Sequence, residues 1–196
     1  MNRMNIRIWL TASQRRTLGI SCYMLLLIAG CAAGTICMLA GKLDRLCSLC
    51  LKLGLSISGE GPLLLSALRW NGGLLLLSFF LGFCAIGQPL TGLLLAVQGF
   101  SMGCLLTEMT HGMTGQMQLL QYLLTAAYEL AVSFILLLSV RESTRLSRVY
   151  AGICTQGADA PEMSHRLRLY SLRYGVLLIL MLAFTGIFLL LYSILL

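Results

Sequence analysis

The pattern of polar and apolar positions along the chain is one of long apolar blocks separated by short polar links. The longest block runs from Asn71 to Glu108 and carries no formal charge between Leu74 and Thr107. A helix needs ~20 apolar residues to span a bilayer, so a block this long predicts membrane-embedded helices. It is interrupted at Gly87-Gln88-Pro89. Proline removes a backbone donor and restricts the residue before it. The block therefore predicts two apolar helices, 71–87 and 89–107, joined by a tight turn, with Pro89 at the first position of the second. Each is short for a span, so two readings stand. The pair crosses fully, or it dips in and returns as a re-entrant hairpin.

Three further apolar blocks predict spans over 17–40, 117–140 and 174–196. The expected fold is a single all-α integral membrane domain over residues 1–196 with about five transmembrane helices. A connector over 42–69 and a basic loop over 141–173 link them. Within the connector, Leu43, Leu46, Cys47, Cys50 and Leu51 share one helical face, which suits a helix on the membrane surface or against the bundle. Residues 1–16 hold four arginines and no acid. They read either as a short interfacial helix or as a frayed basic tail. Leu27-Ile28-Ala29-Gly30-Cys31 looks like a lipoprotein cleavage site, but the chain stays apolar past Cys31, so an uncleaved span is expected.

Small residues recur at helical spacing. Gly92, Ala96, Gly99 and Gly103 form one smooth face, and Gly30 and Gly34 form another. Faces of this kind let helix backbones approach closely, either within one chain or between copies in a homo-oligomer. Glu129 is the one acid well inside an apolar block. A carboxylate in that position is costly and is read by default as functional, with Gln121, Thr125 or a polar group on another helix as its partner. The alternative is a hydrogen-bonded packing residue.

Composition agrees with the pattern. Charged residues make up 11 % of the chain and hydrophobic ones 58 %, whereas a soluble domain is about a quarter charged. The net charge of +7 sits beside apolar spans and acts as a topology signal, so the partner is a lipid bilayer and not nucleic acid. With the N-terminus inside, the tail and the 141–173 loop hold ten basic residues, against four in the connector (Lys42, Arg45, Lys52 and Arg69). This satisfies the positive-inside rule and places the C-terminus outside. Cys47-Ser48-Leu49-Cys50 is half a zinc site without a second half. A local disulfide or two small apolar residues on a buried helix face are the readings it leaves. His111 reads as a solvated turn residue. No catalytic constellation, nucleotide loop or metal set is legible, so neither an enzyme nor a cofactor is expected.

The central block resembles the stage II sporulation protein M family. The resemblance rests on Leu81-Gly82, then Ile86-Gly87-Gln88-Pro89, then Gln98-Gly99 and Gly103, with Gln98 standing where the family pattern has lysine. The order of spans and loops matches along nearly the whole chain. The resemblance implies a bacterial membrane protein of sporulation. Its expected role is a scaffold at the septal membrane during engulfment, holding the wall-degrading stage II sporulation proteins D and P. From the residues themselves, a transporter or channel component built on the broken helix pair and Glu129 is the other reading.

Overall fold

The structure is a computed structural model, and it describes residues 3–40, 63–84, 87–111, 116–156 and 163–195. The chain is an all-α membrane protein. Among the described residues five helices follow one another: α1 (Arg3–Ala40), α2 (Leu63–Leu81), α3 (Gly87–His111), α4 (Gln116–Gln156) and α5 (Met163–Leu195). Four of them contain stretches long and apolar enough to cross a membrane: Ser21–Ala40, Gly87–Thr110, Leu119–Tyr150 and Leu167–Ile194. The apolar part of α2, Leu68–Leu81, is shorter. The amphipathic connector face and the Cys47/Cys50 pair lie outside the described residues.

Several boundaries move from their expected places. The basic N-terminal segment is neither a separate interfacial helix nor a frayed tail, because α1 is continuous from Arg3 into the first span. The second apolar helix begins earlier and ends earlier than 71–87. Residues 63–69, expected in the connector, open α2, and Gly87 belongs to α3. Pro89 is consequently the third residue of α3 and not the first. It is tolerated there because the first four N–H groups of a helix have no intrahelical acceptor to lose. The expected basic loop over 141–173 is mostly helix, since α4 runs through to Gln156 and α5 begins at Met163. A serine-, threonine- and arginine-containing stretch without proline or glycine from Arg141 to Tyr150 offers nothing to stop a helix already formed. At 41 residues, α4 is about 60 Å long, twice the hydrocarbon thickness, and its arginine-bearing end projects beyond it.

Paired contacts give the helix directions. α1 and α3 run parallel, as Gly30 meets Ala96 and Gly34 meets Phe100. α2 runs along α4 in the same direction, with Asn71 against Tyr128 and Ser78 against Ser139. α5 returns antiparallel, with Thr185 against Tyr128 and Tyr174 against Ser139. The α2–α3 turn sits level with Ser147, near the arginine-bearing end of α4. From there α3 runs back to His111, close in sequence to the start of α4. The helix pair therefore follows the length of α4 and does not turn back half way.

α4 lies at the centre. Val132, Ile135, Leu136 and Val140 pack with Leu75, Leu95 and Met181 in one buried cluster. The outward faces of α1 and α5 stay apolar, with Leu25, Ile36, Ile179 and Leu190 exposed. In water such faces would collapse; in a bilayer they meet acyl chains at no cost.

Candidate functional site

Lipid is as apolar as leucine, so helices in a membrane are held by close packing and by polar groups that find one another. Both are at work in three places around α3 and α4.

The first is a glycine interface. A Cβ added at Gly30 would strike the Ala96 carbonyl oxygen, and one at Gly34 the Phe100 carbonyl oxygen, each closer than 3.0 Å. Reciprocally, Gly99 lies against the Leu27 carbonyl and Gly103 against that of Cys31. The two small-residue faces read from the sequence are thus partners, and α3 is the main neighbour of α1. At each glycine the Cα hydrogen points where the Cβ would go, toward a carbonyl oxygen, the arrangement of interhelical Cα–H···O contacts. Gly92, at one end of the face, meets only the Leu26 side chain, at 3.3 Å. The Cys104 thiol closes the seam by donating to the Gly34 carbonyl at 3.7 Å.

The second is the turn between α2 and α3. Its carbonyls are satisfied by a run of tight bonds: Gly82 N–H donates to Phe79 O, Phe83 N–H to Phe80 O, Cys84 N–H to Leu81 O, and Gly87 N–H to Cys84 O. Ser147 on α4 and Tyr170 on α5 supply hydroxyl donors to Cys84 O (2.8 Å) and Phe79 O (2.9 Å). Gly82 is required because a Cβ there would collide with the Tyr170 hydroxyl, and Gly87 because one would collide with the Leu81 carbonyl. Pro89 is exposed. Phe79, Phe83, Tyr150, Tyr170 and Tyr174 cover the turn, with the Phe79 and Tyr170 rings stacked at 5.2 Å.

The third is a ladder of hydroxyls joining α2, α4 and α5. Ser78 Oγ lies 2.9 Å from Ser139 Oγ and 3.1 Å from Tyr174 Oη. The Tyr174 hydroxyl donates to the Ser139 carbonyl at 2.8 Å. Nearer the other end, Asn71 Nδ2 donates to Tyr128 Oη, which also meets Thr185 Oγ1, both at 3.3 Å. None of these residues is singled out by a motif in the sequence. Asn71, Ser78 and Ser139 do carry a signal, as isolated polar residues inside apolar helices, which must face the bundle.

Glu129 is buried, and its partner is neither Gln121 nor Thr125. Thr125 Oγ1 donates to the Gln121 carbonyl instead. Gln98 of α3 reaches across and donates through Nε2 to Glu129 Oε2 at 3.1 Å. Gln98 Oε1 has no partner. Gln98 is therefore the residue of α3 that faces the intramembrane acid. One turn farther along both helices, Ser133 Oγ donates to the Met102 sulfur at 3.9 Å.

At the arginine-bearing end, Glu142 accepts from Arg145 at 3.3 Å and from Arg173. His111 closes α3. Among the described residues, no group of three or more His, Cys, Asp or Glu side chains converges. No protein-family model, curated protein or solved structure matches the chain.

Proposed function

We propose that the chain is a non-enzymatic membrane scaffold of sporulation engulfment, holding cell-wall hydrolases at the septal membrane. The reading rests on the resemblance of the central block, and the use of that block's glycines supports it. Gly82 and Gly87 close the turn, while Gly99 and Gly103 close α3 onto α1. The residues that carry the resemblance are spent on fixing one bundle geometry. A bundle fixed in this way holds its lipid-facing surfaces in constant relation, which is what an anchor for membrane-bound enzymes needs. In this reading the partners are the stage II sporulation proteins D and P, which perform the chemistry on peptidoglycan. The arginine-rich end faces the cytoplasm by the positive-inside rule and the C-terminus lies outside. Purifying the tagged chain from sporulating cells in mild detergent tests the partnership. Both hydrolases should co-purify; a bait that recovers neither, from cells that make both, refutes it.

One observation favours a second reading, a transporter or channel component. The Gln98–Glu129 pair is buried at mid-bundle and leaves Gln98 Oε1 unpaired, and intramembrane acids often mark permeation paths. Replacing Glu129 with Gln or Leu separates the two. A scaffold keeps its partners with modest loss of assembly, whereas a conduction path loses flux in reconstituted vesicles while still inserting.

A further inference from the structure

We propose that the cleft between α4 and α5 at the arginine-rich end holds the phosphate of an anionic membrane phospholipid. The cleft has a volume of about 260 Å³. That is below the usual range for a whole small-molecule ligand and suits a headgroup whose chains lie elsewhere. Its polar wall is Glu142, Arg145 and Arg173, and its apolar wall is formed by Leu146, Val149 and Leu169.

Glu142 sets the geometry. One carboxylate oxygen accepts from Arg145 Nη1 and the other from Arg173 Nη1, so a single acid on α4 holds one guanidinium from each helix over the same opening. Each guanidinium has five N–H donors in a planar fork, and the carboxylate engages one nitrogen of each. The remaining donors stay accessible, as the Arg145 and Arg173 side chains are 58 % and 50 % exposed. Two forks with free donors and a net charge of +1 make a phosphate-binding arrangement, because the fork matches phosphate oxygens two at a time.

Position identifies the source of the phosphate. Arg173 is the last charged residue before the apolar end of α5, and Arg141 is the first after the apolar run of α4. The cleft therefore opens where hydrocarbon gives way to headgroups. On its membrane side α5 exposes Val176 and Ile179, a surface for acyl chains. The net charge of +1 carried by Glu142, Arg145 and Arg173 favours an anionic lipid over a zwitterionic one.

The test uses the purified full chain in a neutral detergent, titrated with phosphatidylglycerol, phosphatidylcholine or inorganic phosphate. Bound species are counted by native mass spectrometry, and the shift in unfolding temperature is followed in parallel. Phosphatidylglycerol should bind saturably at a low integer stoichiometry. Arg145→Gln/Arg173→Gln should weaken it about tenfold or more, since each fork makes charge-assisted bonds. Arg141→Gln/Arg148→Gln removes the same charge outside the cleft and should leave affinity within about threefold. Equal weakening by the two pairs, or equal binding of phosphatidylcholine, overturns the proposal. A shift as large with inorganic phosphate alone overturns the lipid assignment. Arg173→Lys keeps the charge and loses the fork, so it should weaken binding even if the double variant does not fold; unchanged binding counts against the site.

Discussion

A single methyl group at Gly99 should separate two helices. In Gly99→Ala the new Cβ would sit closer than 3.0 Å to the Leu27 carbonyl oxygen, where ordinary van der Waals contact begins at 3.4 Å. The obstacle is backbone, which cannot rotate aside, so α1 must move off α3 by roughly 1 Å. Rigid rods move together, and the contacts at Gly30, Gly34 and Gly103 open as well. Four Cα–H···O contacts at about 0.5–1 kcal/mol each put the loss near ~2–4 kcal/mol. A gap of that size also forfeits a quarter to a half of the dispersion well of the facing atoms. Alanine recovers up to ~1 kcal/mol as the better helix former. The net expectation is a destabilisation of about 1–3 kcal/mol. The matched control is Gly175→Ala on α5, where an added Cβ meets nothing within 4 Å. That change should be neutral or stabilising by up to ~1 kcal/mol. Reversible unfolding in mixed micelles of denaturing and mild detergent, followed by circular dichroism, measures both. If Gly99→Ala unfolds at the same denaturant fraction as Gly175→Ala, the backbone-to-backbone account of the α1–α3 seam is wrong.

Other changes probe the remaining contacts. Glu129→Leu leaves the buried Gln98 amide without its acceptor and should cost about 1–3 kcal/mol; Gln98→Leu/Glu129→Leu should recover most of that, which a double-mutant cycle in the same unfolding assay reads directly. Ser78→Ala and Tyr174→Phe each remove a member of one hydroxyl cluster and should cost roughly 0.6–1.5 kcal/mol, with the pair costing less than the sum because they share a contact; additive losses would contradict the cluster. Gly82→Ala should be destabilising because its Cβ meets the Tyr170 hydroxyl, and Tyr170→Phe should partly rescue it in thermal unfolding by removing the clashing oxygen. Gly87→Ala meets the Leu81 backbone instead and should gain nothing from Tyr170→Phe.

Much of the architecture is legible because the bilayer imposes it. An apolar block of about 20 residues has few options in lipid other than a helix, and that logic finds the spans. It says less about where a helix stops outside the bilayer. α4 continues through Arg141, Arg145 and Arg148 because exposed arginines are good helix formers, and hydropathy alone reads that stretch as a loop. The end of α2 shows a related gap. Proline marks a helix start only to within a turn, and the close approach of the Tyr170 hydroxyl to Gly82, just past the end of α2, is not legible from spacing. Spacing assigns Gly30 with Gly34 and Gly99 with Gly103 to faces, yet period does not say which face meets which. Glu129 stands out by its charge. Its partner, thirty-one positions away on α3, is a glutamine like several others until the fold aligns them. The serines and tyrosines between α2, α4 and α5 are the least visible, since one hydroxyl among leucines reads the same whether or not another lies opposite.

A clean deletion in the native host tests the proposed scaffold role in engulfment. Sporulating cells stained for membrane and imaged over time should form septa normally and then stall, with the mother-cell membrane failing to migrate around the forespore. The wild-type chain should restore migration, and Glu129→Gln should restore it nearly as well. Normal engulfment in the deletion strain would contradict the account and turn attention to solute flux through the reconstituted protein.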